Sequence, residues 1–233
     1  MTGPLRVAAA IPAFDAAATI ADVVRRTLAL VPDVLVVDDG SSDGTGARAE
    51  AAGARVRSHD SNRGKGAALR TAFDDLFGRG VHAVLTLDAD GQHLPEEIPR
   101  LLRLASEGAD LVIGTRDHLF DAMGLMRRTS NRLSSRAISF VAGRDLTDVQ
   151  SGFRLYTRKL ISEIGFPESR FDAESAVVVR AARAGFRIAV VPVALGFADG
   201  RTTSHYRPVV DSLRIASAVT RARFEARRWA RQP

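Results

Sequence analysis

Asp88 and Asp90 stand one residue apart where an apolar run containing Leu85 and Leu87 breaks off into Asp88-Ala89-Asp90-Gly91-Gln92-His93. Two carboxylates so spaced at the end of a buried strand can share a hard divalent cation, Mg2+ or Mn2+, which takes oxygen ligands and bridges the oxygens of a diphosphate. Taken alone, the same residues read as a turn after a strand, because Asp and Gly favour turns. Their company points to chemistry. Ile11-Pro12-Ala13-Phe14, the run VLVVDDGSSDGT over 34–45, and Asn62-Arg63-Gly64-Lys65-Gly66 all lie upstream. Pro12 and Phe14 close the first expected strand, where a ring can pack on a nucleobase. Lys65 brings a cation, with backbone amides, to a helix start suited to an anion; the flanking glycines equally allow a merely tight helix start.

The elements that must position these residues alternate. Strands are expected at 5–11, 34–37, 55–58, 83–87 and 111–113, with helices at 19–30, 44–53, 64–77 and 95–107, the last with Pro95 in its first turn, where a missing amide hydrogen costs nothing. Val34 to Val37 is apolar throughout, as suits a parallel strand covered on both faces. Such an order builds an α/β, Rossmann-like, doubly wound sheet with helices on both faces, whose ligands sit beyond the carboxyl ends of the strands. All the candidate residues above fall there. After Gly114 the pattern changes to a loop rich in Leu119, Phe120, Met123, Leu125 and Met126, then a helix over 129–141. A return strand is expected at 151–156, a helix at 173–184, a late strand at 188–193 and a terminal helix over 208–229.

Composition narrows the classes. With 233 residues, 45% of them hydrophobic, the chain can bury a real core, and with no cysteine it offers neither a thiolate metal site nor a cysteine nucleophile. No secretory signal is visible at the start, which argues against export, and no apolar run approaches the roughly 20 residues that cross a bilayer. Eight arginines against two acidic residues in 201–233 account for the whole net charge of +6. A neutral body with a basic tail suits an anionic partner, or a solvated helix end. Nucleic acid fits the charge, but no recognised binding module accompanies it.

Together these segments resemble the nucleotide-sugar half of a family 2 glycosyltransferase with the GT-A fold, a mixed sheet of this doubly wound kind. The resemblance implies that Asp88, Asp90 and Gln92 hold Mg2+ or Mn2+, and that the backbone at Ala89 lies beside the donor. It also implies that Asp39, with Val37 nearby, contacts the base or ribose, and makes Lys65 a donor contact. The family pattern continues after the aromatic with Asn-Glu, where this chain has Asp15-Ala16; uridine and guanosine both stay open. Asp148-Val149-Gln150-Ser151-Gly152-Phe153-Arg154 resembles a segment of polyprenyl-phosphate sugar transferases, among them dolichyl-phosphate mannose synthases. It implies that Ser151 and Arg154, with Arg116, Arg127 and Arg128, serve acceptor and donor phosphates, for which arginine's planar fork is suited. Arg201 and His205 lie where relatives close a loop over the diphosphate.

The reading is an inverting hexosyl transfer from a GDP-mannose or UDP-glucose type donor to a polyprenyl phosphate, with Asp90 and Arg116 at the reacting groups. A lipid phosphate is already anionic and needs no base. A hydroxyl acceptor would need one, for which Asp172 or Glu174 stands ready, although Asp172, directly before a helical run, equally caps it. Residues 1–206 form the catalytic domain and 207–233 a basic helix, packed on the domain or lying at the membrane surface. The enzyme is expected at the cytoplasmic membrane face, held peripherally or by a separate membrane protein. Arg207, Arg214, Arg221 and Arg228 recur every seven residues along that helix, each adding about 1 kcal/mol near anionic lipid.

Overall fold

A computed structural model describes residues 5–115, 151–170, 172–196 and 217–220. Seven strands, β1 (Val7–Ala13), β2 (Val34–Asp38), β3 (Arg55–Ser58), β4 (Ala83–Thr86), β5 (Leu111–Thr115), β6 (Arg154–Thr157) and β7 (Ile188–Pro192), form one sheet in the order β3-β2-β1-β4-β6-β5-β7. All neighbours pair in parallel except β6, which runs against both β4 and β5. Six helices are described: α1 (Ile20–Leu28), α2 (Thr45–Ala51), α3 (Lys65–Gly78), α4 (Ile98–Ser106), α5 (Arg158–Ile164) and α6 (Asp172–Arg183).

Side chains that alternate along a strand divide the core between two faces. Ala8, Ala10, Leu35, Val37 and Val84 face the layer of α3, α5 and α6. Ala9, Ile11, Val34, Val36 and Leu85 face that of α1 and α4. Helix α1 supplies its apolar stripe from Ile20, Val23, Val24 and Thr27, the i, i+3, i+4, i+7 spacing of a helix lying on a sheet. Ala218 and Val219 are buried in the first layer, so the described part of the expected terminal helix packs on the domain.

Element order agrees with the sequence reading, with shifts at the ends. The expected helix over 95–107 divides into a 3-10 turn (Pro95–Glu97) and α4. The return strand begins at Arg154 rather than 151, because Ser151 to Phe153 enter it as irregular chain. Helix α5 was not expected; Thr157 caps it by accepting from the Leu160 amide. The expected helix over 129–141 lies outside the described residues.

On α3, Asp75 binds Arg55 at 2.9 Å, Arg57 at 2.9 Å and Arg79 at 2.8 Å. Burial pushes its carboxyl up, but the three guanidinium groups prevail and hold it at about 2. Asp75→Asn should therefore destabilise the protein by about 1–2 kcal/mol near neutral pH, discounted for the exposed outer arginines. Because the folded value lies below the unfolded one, the contribution is complete above about pH 4 and disappears as pH falls through 2. Urea unfolding of both proteins at pH 7 and at acid pH checks this; a difference that persists at low pH would rule it out.

Candidate active site

Parallel β1, β2, β4 and β5 end at one edge of the sheet, and the reversed β6 begins there. Topology alone thus gathers Phe14, Asp39, the 88–92 turn, Thr115 and the 151–153 segment along that edge. Thr86 Oγ1 donates to the Gly152 carbonyl at 2.9 Å, which fixes the 151–153 segment against the end of β4.

The turn after β4 is braced on every side. Asp90 Oδ1 accepts from the Gln92 amide at 2.9 Å, and Gly91 takes φ +75°, where a side chain would be strained. Thr19 Oγ1 donates to the Ala89 carbonyl at 2.6 Å. The Asp88 amide donates to Nδ1 of His93, a buried ring stacked on Phe153 at 5.4 Å between centroids. With Nδ1 accepting, its 3.7 Å approach to Asp88 Oδ2 is not an ion pair. The Gly196 amide donates to the Gln92 carbonyl at 2.9 Å, a further brace on this turn.

Asp88 is held from the other side by Lys65. Its Nζ lies 2.6 Å from Asp88 Oδ1 and 3.1 Å from Glu174 Oε2. Burial works against the ammonium, but the two carboxylates outweigh it and hold Lys65 well above the ordinary lysine value. Glu174 is buried, and its Oε1 has no hydrogen-bond partner among the described residues. Beneath the pair passes Gly152: a Cβ there would lie 2.6 Å from Lys65 Nζ and 2.8 Å from each Asp88 oxygen.

The loops after β1 and β2 are stitched together. Ser42 N donates to Asp15 Oδ1, Asp15 N to Ser41 Oγ, and Ala16 N to Thr45 Oγ1. Asp15 adopts φ +48°, which Asp and Asn tolerate better than other side chains. Pro12 and Phe14 are half-buried beside them, whereas Val37 is wholly a core residue. Asp39 is buried and already engaged: it meets His59 Nδ1 at 2.6 Å and accepts from the amides of Arg63 at 3.0 Å and Gly64 at 2.7 Å. Its carboxylate here anchors the 62–66 loop.

That loop's glycines serve close packing. A Cβ at Gly64 would meet Ser169 O at 2.6 Å, and one at Gly66 would meet Glu168 O at 2.6 Å. The Ala67 amide at the start of α3 donates to Ser169 O. The amides of Arg63 and Gly64 are thus spent on Asp39 and that of Ala67 on Ser169, as a tight helix start requires.

Two of the expected phosphate contacts, Ser151 and Arg154, are buried among the described residues. Ser151 is fully buried, its Oγ accepting from the Phe153 amide. Arg154 is also fully buried, donating to the carbonyls of Ser151 and Glu174 at 2.6 Å each. These two bonds tie the guanidinium to the chain on either side of β6. Asp172 opens α6 and accepts from the Arg170 amide, upstream of the helix, at 3.2 Å. Arg116, Arg127, Arg128, Arg201 and His205 lie outside the described residues. The sequence reading missed the link from Lys65 to Glu174 and the braces Thr19 and His93. Gly152 carried a signal: a glycine beside a strand often marks close approach of another group.

No group of three or more His, Cys, Asp or Glu side chains among the described residues could hold a metal by itself. The oxygen-only pair of Asp88 and Asp90 at the partly exposed edge nevertheless fits a hard cation whose other ligands come from diphosphate and water, as Mg2+ in phosphate sites commonly has.

The sequence matches the profile of Glycosyl transferase family 2 over residues 9–165. The chain belongs to that family. Among curated family 2 relatives, Glycosyltransferase AglJ of Haloferax volcanii is 37% identical over 196 residues, 82% of this chain and 63% of its own length. Polyprenol monophosphomannose synthase of Mycolicibacterium smegmatis is 34% identical, over 69% of this chain and 65% of its own. Undecaprenyl-phosphate mannosyltransferase of Micrococcus luteus is 34% identical, over 81% and 83%. The chain thus spans less than two thirds of the length of the first two. Glucosyl-3-phosphoglycerate synthase of M. tuberculosis superposes with a TM-score of 0.74 at 22% identity, over 93% of this chain and 80% of that one. A structure of that enzyme with Mn2+, UDP-glucose and phosphoglyceric acid gives 0.72 at 22% identity, over 94% and 79%. At such identity the likeness shows the fold, and the mixed seven-stranded sheet of this family 2 chain is GT-A.

Proposed function

We propose that this chain transfers a hexose from a nucleotide diphosphate-sugar, of the GDP-mannose or UDP-glucose type, to a polyprenyl phosphate, with inversion at the anomeric carbon. The observation that carries the proposal is the meeting of the Asp88 and Asp90 turn with the 151–154 segment at one sheet edge, Gly152 lying directly under Asp88. The polyprenyl-phosphate enzymes among the relatives support the acceptor class.

Pro12 and Phe14 would support the base. Asp88, Asp90 and Gln92 would hold Mg2+ or Mn2+, which when bound offsets the diphosphate charge and eases its departure. Arg116, Arg127, Arg128, Arg201 and His205 would contact donor and acceptor phosphates. The acceptor phosphate attacks as an anion, so no side chain has to take a proton. That agrees with the state of the two candidate bases, since Glu174 is already bound to Lys65 and Asp172 accepts from the Arg170 amide. Among the described residues no helix is long and apolar enough to cross a membrane. The lipid would be met peripherally at the cytoplasmic membrane face, through the basic 207–233 segment or a separate membrane protein, and nucleic acid is not a partner in this reading.

The test is turnover of UDP- and GDP-hexoses with Mg2+ or Mn2+, with and without a short polyprenyl phosphate, beside Asp90→Ala. Metal-dependent transfer to the lipid, lost in the variant, is expected. Transfer only to hydroxyl acceptors would overturn the acceptor, and no donor binding would overturn the reaction.

A further inference from the structure

The Lys65 ammonium occupies a place between two carboxylates that do not stand alike. Asp88 is partly exposed at the sheet edge, its side chain 31% accessible. Glu174 is 5% accessible and lies behind Lys65, with Oε2 on the ammonium and Oε1 buried without a partner among the described residues. A buried carboxylate oxygen left without a donor is costly and calls for a reason. An ammonium has three N–H groups on a rotatable stem, so it can shift between acceptors that a guanidinium fork would fix.

We propose that Lys65 is an internal counter-cation which neutralises Asp88 in the metal-free protein and withdraws onto Glu174 when a divalent cation takes Asp88, with Oε1 as its added acceptor. Glu174 is then a positioning residue acting through Lys65. This rests on the reading of Asp88 and Asp90 as cation ligands. Gly152 leaves the room in which the exchange takes place, since any side chain there would fall on Lys65 Nζ and Asp88 together. One consequence is that the protein alone holds a divalent cation weakly, because the cation must first displace Lys65; diphosphate, adding its own ligands, tips the exchange.

Mn2+ binding to the full chain without nucleotide, followed by calorimetry or by the spin resonance of free Mn2+, tests the relay. Lys65→Met should tighten Mn2+ roughly tenfold by removing a competing cation, and Lys65→Arg should not. Glu174→Gln should weaken it roughly tenfold, since the ammonium then has only Asp88 as an ionic partner. In the Lys65→Met background, Glu174→Gln should have little further effect, a coupling that separates a relay from two independent charges. Thermal unfolding of each variant confirms that it is folded, and Glu174→Gln with Lys65→Arg carries the comparison if Lys65→Met is not. Mn2+ binding that is lost in Asp90→Ala but unchanged by Lys65→Met and Glu174→Gln would overturn the relay alone, as would equal weakening by Glu174→Gln in both backgrounds. No Mn2+ binding even with UDP or GDP would overturn the cation reading and the relay with it.

Discussion

Gly152→Ala is expected to lower sugar transfer by about a hundredfold or more, the scale associated with displacing a reacting group by about 1 Å, while the protein stays folded. The added methyl would enter between Lys65 Nζ and both oxygens of Asp88, within 2.6–2.8 Å of each. The ammonium is the end of a flexible chain and can give way. The Asp88 carboxylate cannot do so without leaving its position, because its backbone is pinned by the His93 hydrogen bond and the braced turn. The strain should cost about 1–3 kcal/mol in stability, as small-to-large changes in packed sites do. Steady-state turnover and thermal unfolding of one preparation separate the two effects. Full activity in a folded variant would mean that the placement of Asp88 is not demanded by the reaction.

Glu168→Ala should be the most destabilising single carboxylate change among the described residues, at about 3–5 kcal/mol, the scale of breaking a buried ion pair from one side. Glu168 meets both terminal nitrogens of Arg180 at 2.7 and 2.6 Å, with side chains 9% and 3% accessible. The pair ties α6 to the 166–170 segment, whose carbonyls at Phe166, Pro167 and Glu168 also accept from Arg70. This segment covers Gly64 and Gly66, so the damage should extend to the start of α3 and to Lys65. Chemical denaturation measures the loss. Replacing both partners by apolar residues, Glu168→Leu with Arg180→Met, should recover much of it, because an apolar pair leaves no charge to desolvate. A loss as large in the double variant as in Glu168→Ala would show that the segment is held by something other than this pair.

How far the sequence could be read follows from what kind of force fixed each feature. The strands were visible because Val34 to Val37 and Ala83 to Leu87 are apolar on both faces, and helix positions because α1 and α4 carry a clear stripe. Asp88 and Asp90 stood out because a carboxylate pair ending an apolar run is a local pattern. Arg154 shows the limit: its residue type advertises phosphate binding, and spacing does not reveal that it also donates to the carbonyls of Ser151 and Glu174. The same holds for Lys65, whose partners are supplied by β4 and α6, and for Asp39, whose carboxylate is claimed by a loop two dozen residues downstream. Contacts across elements decide the state of a charged side chain, and they leave almost no trace in spacing. Helix α5 escaped because its seven residues lack the alanines that mark the equally short α2.

The reversal of β6 has a consequence for how such a protein can diversify. β5 ends at Thr115 and β6 begins at Arg154 on the same edge of the sheet, since the two run antiparallel. Residues 116–150 therefore start and finish within one rim, while the strands that carry Pro12, Asp39 and Asp88 are complete before the excursion begins. A different excursion could be spliced between the same two anchor points without altering the register of any strand in the donor half. Under the proposed function, a change of acceptor would then leave Pro12, Asp39 and Asp88 in place.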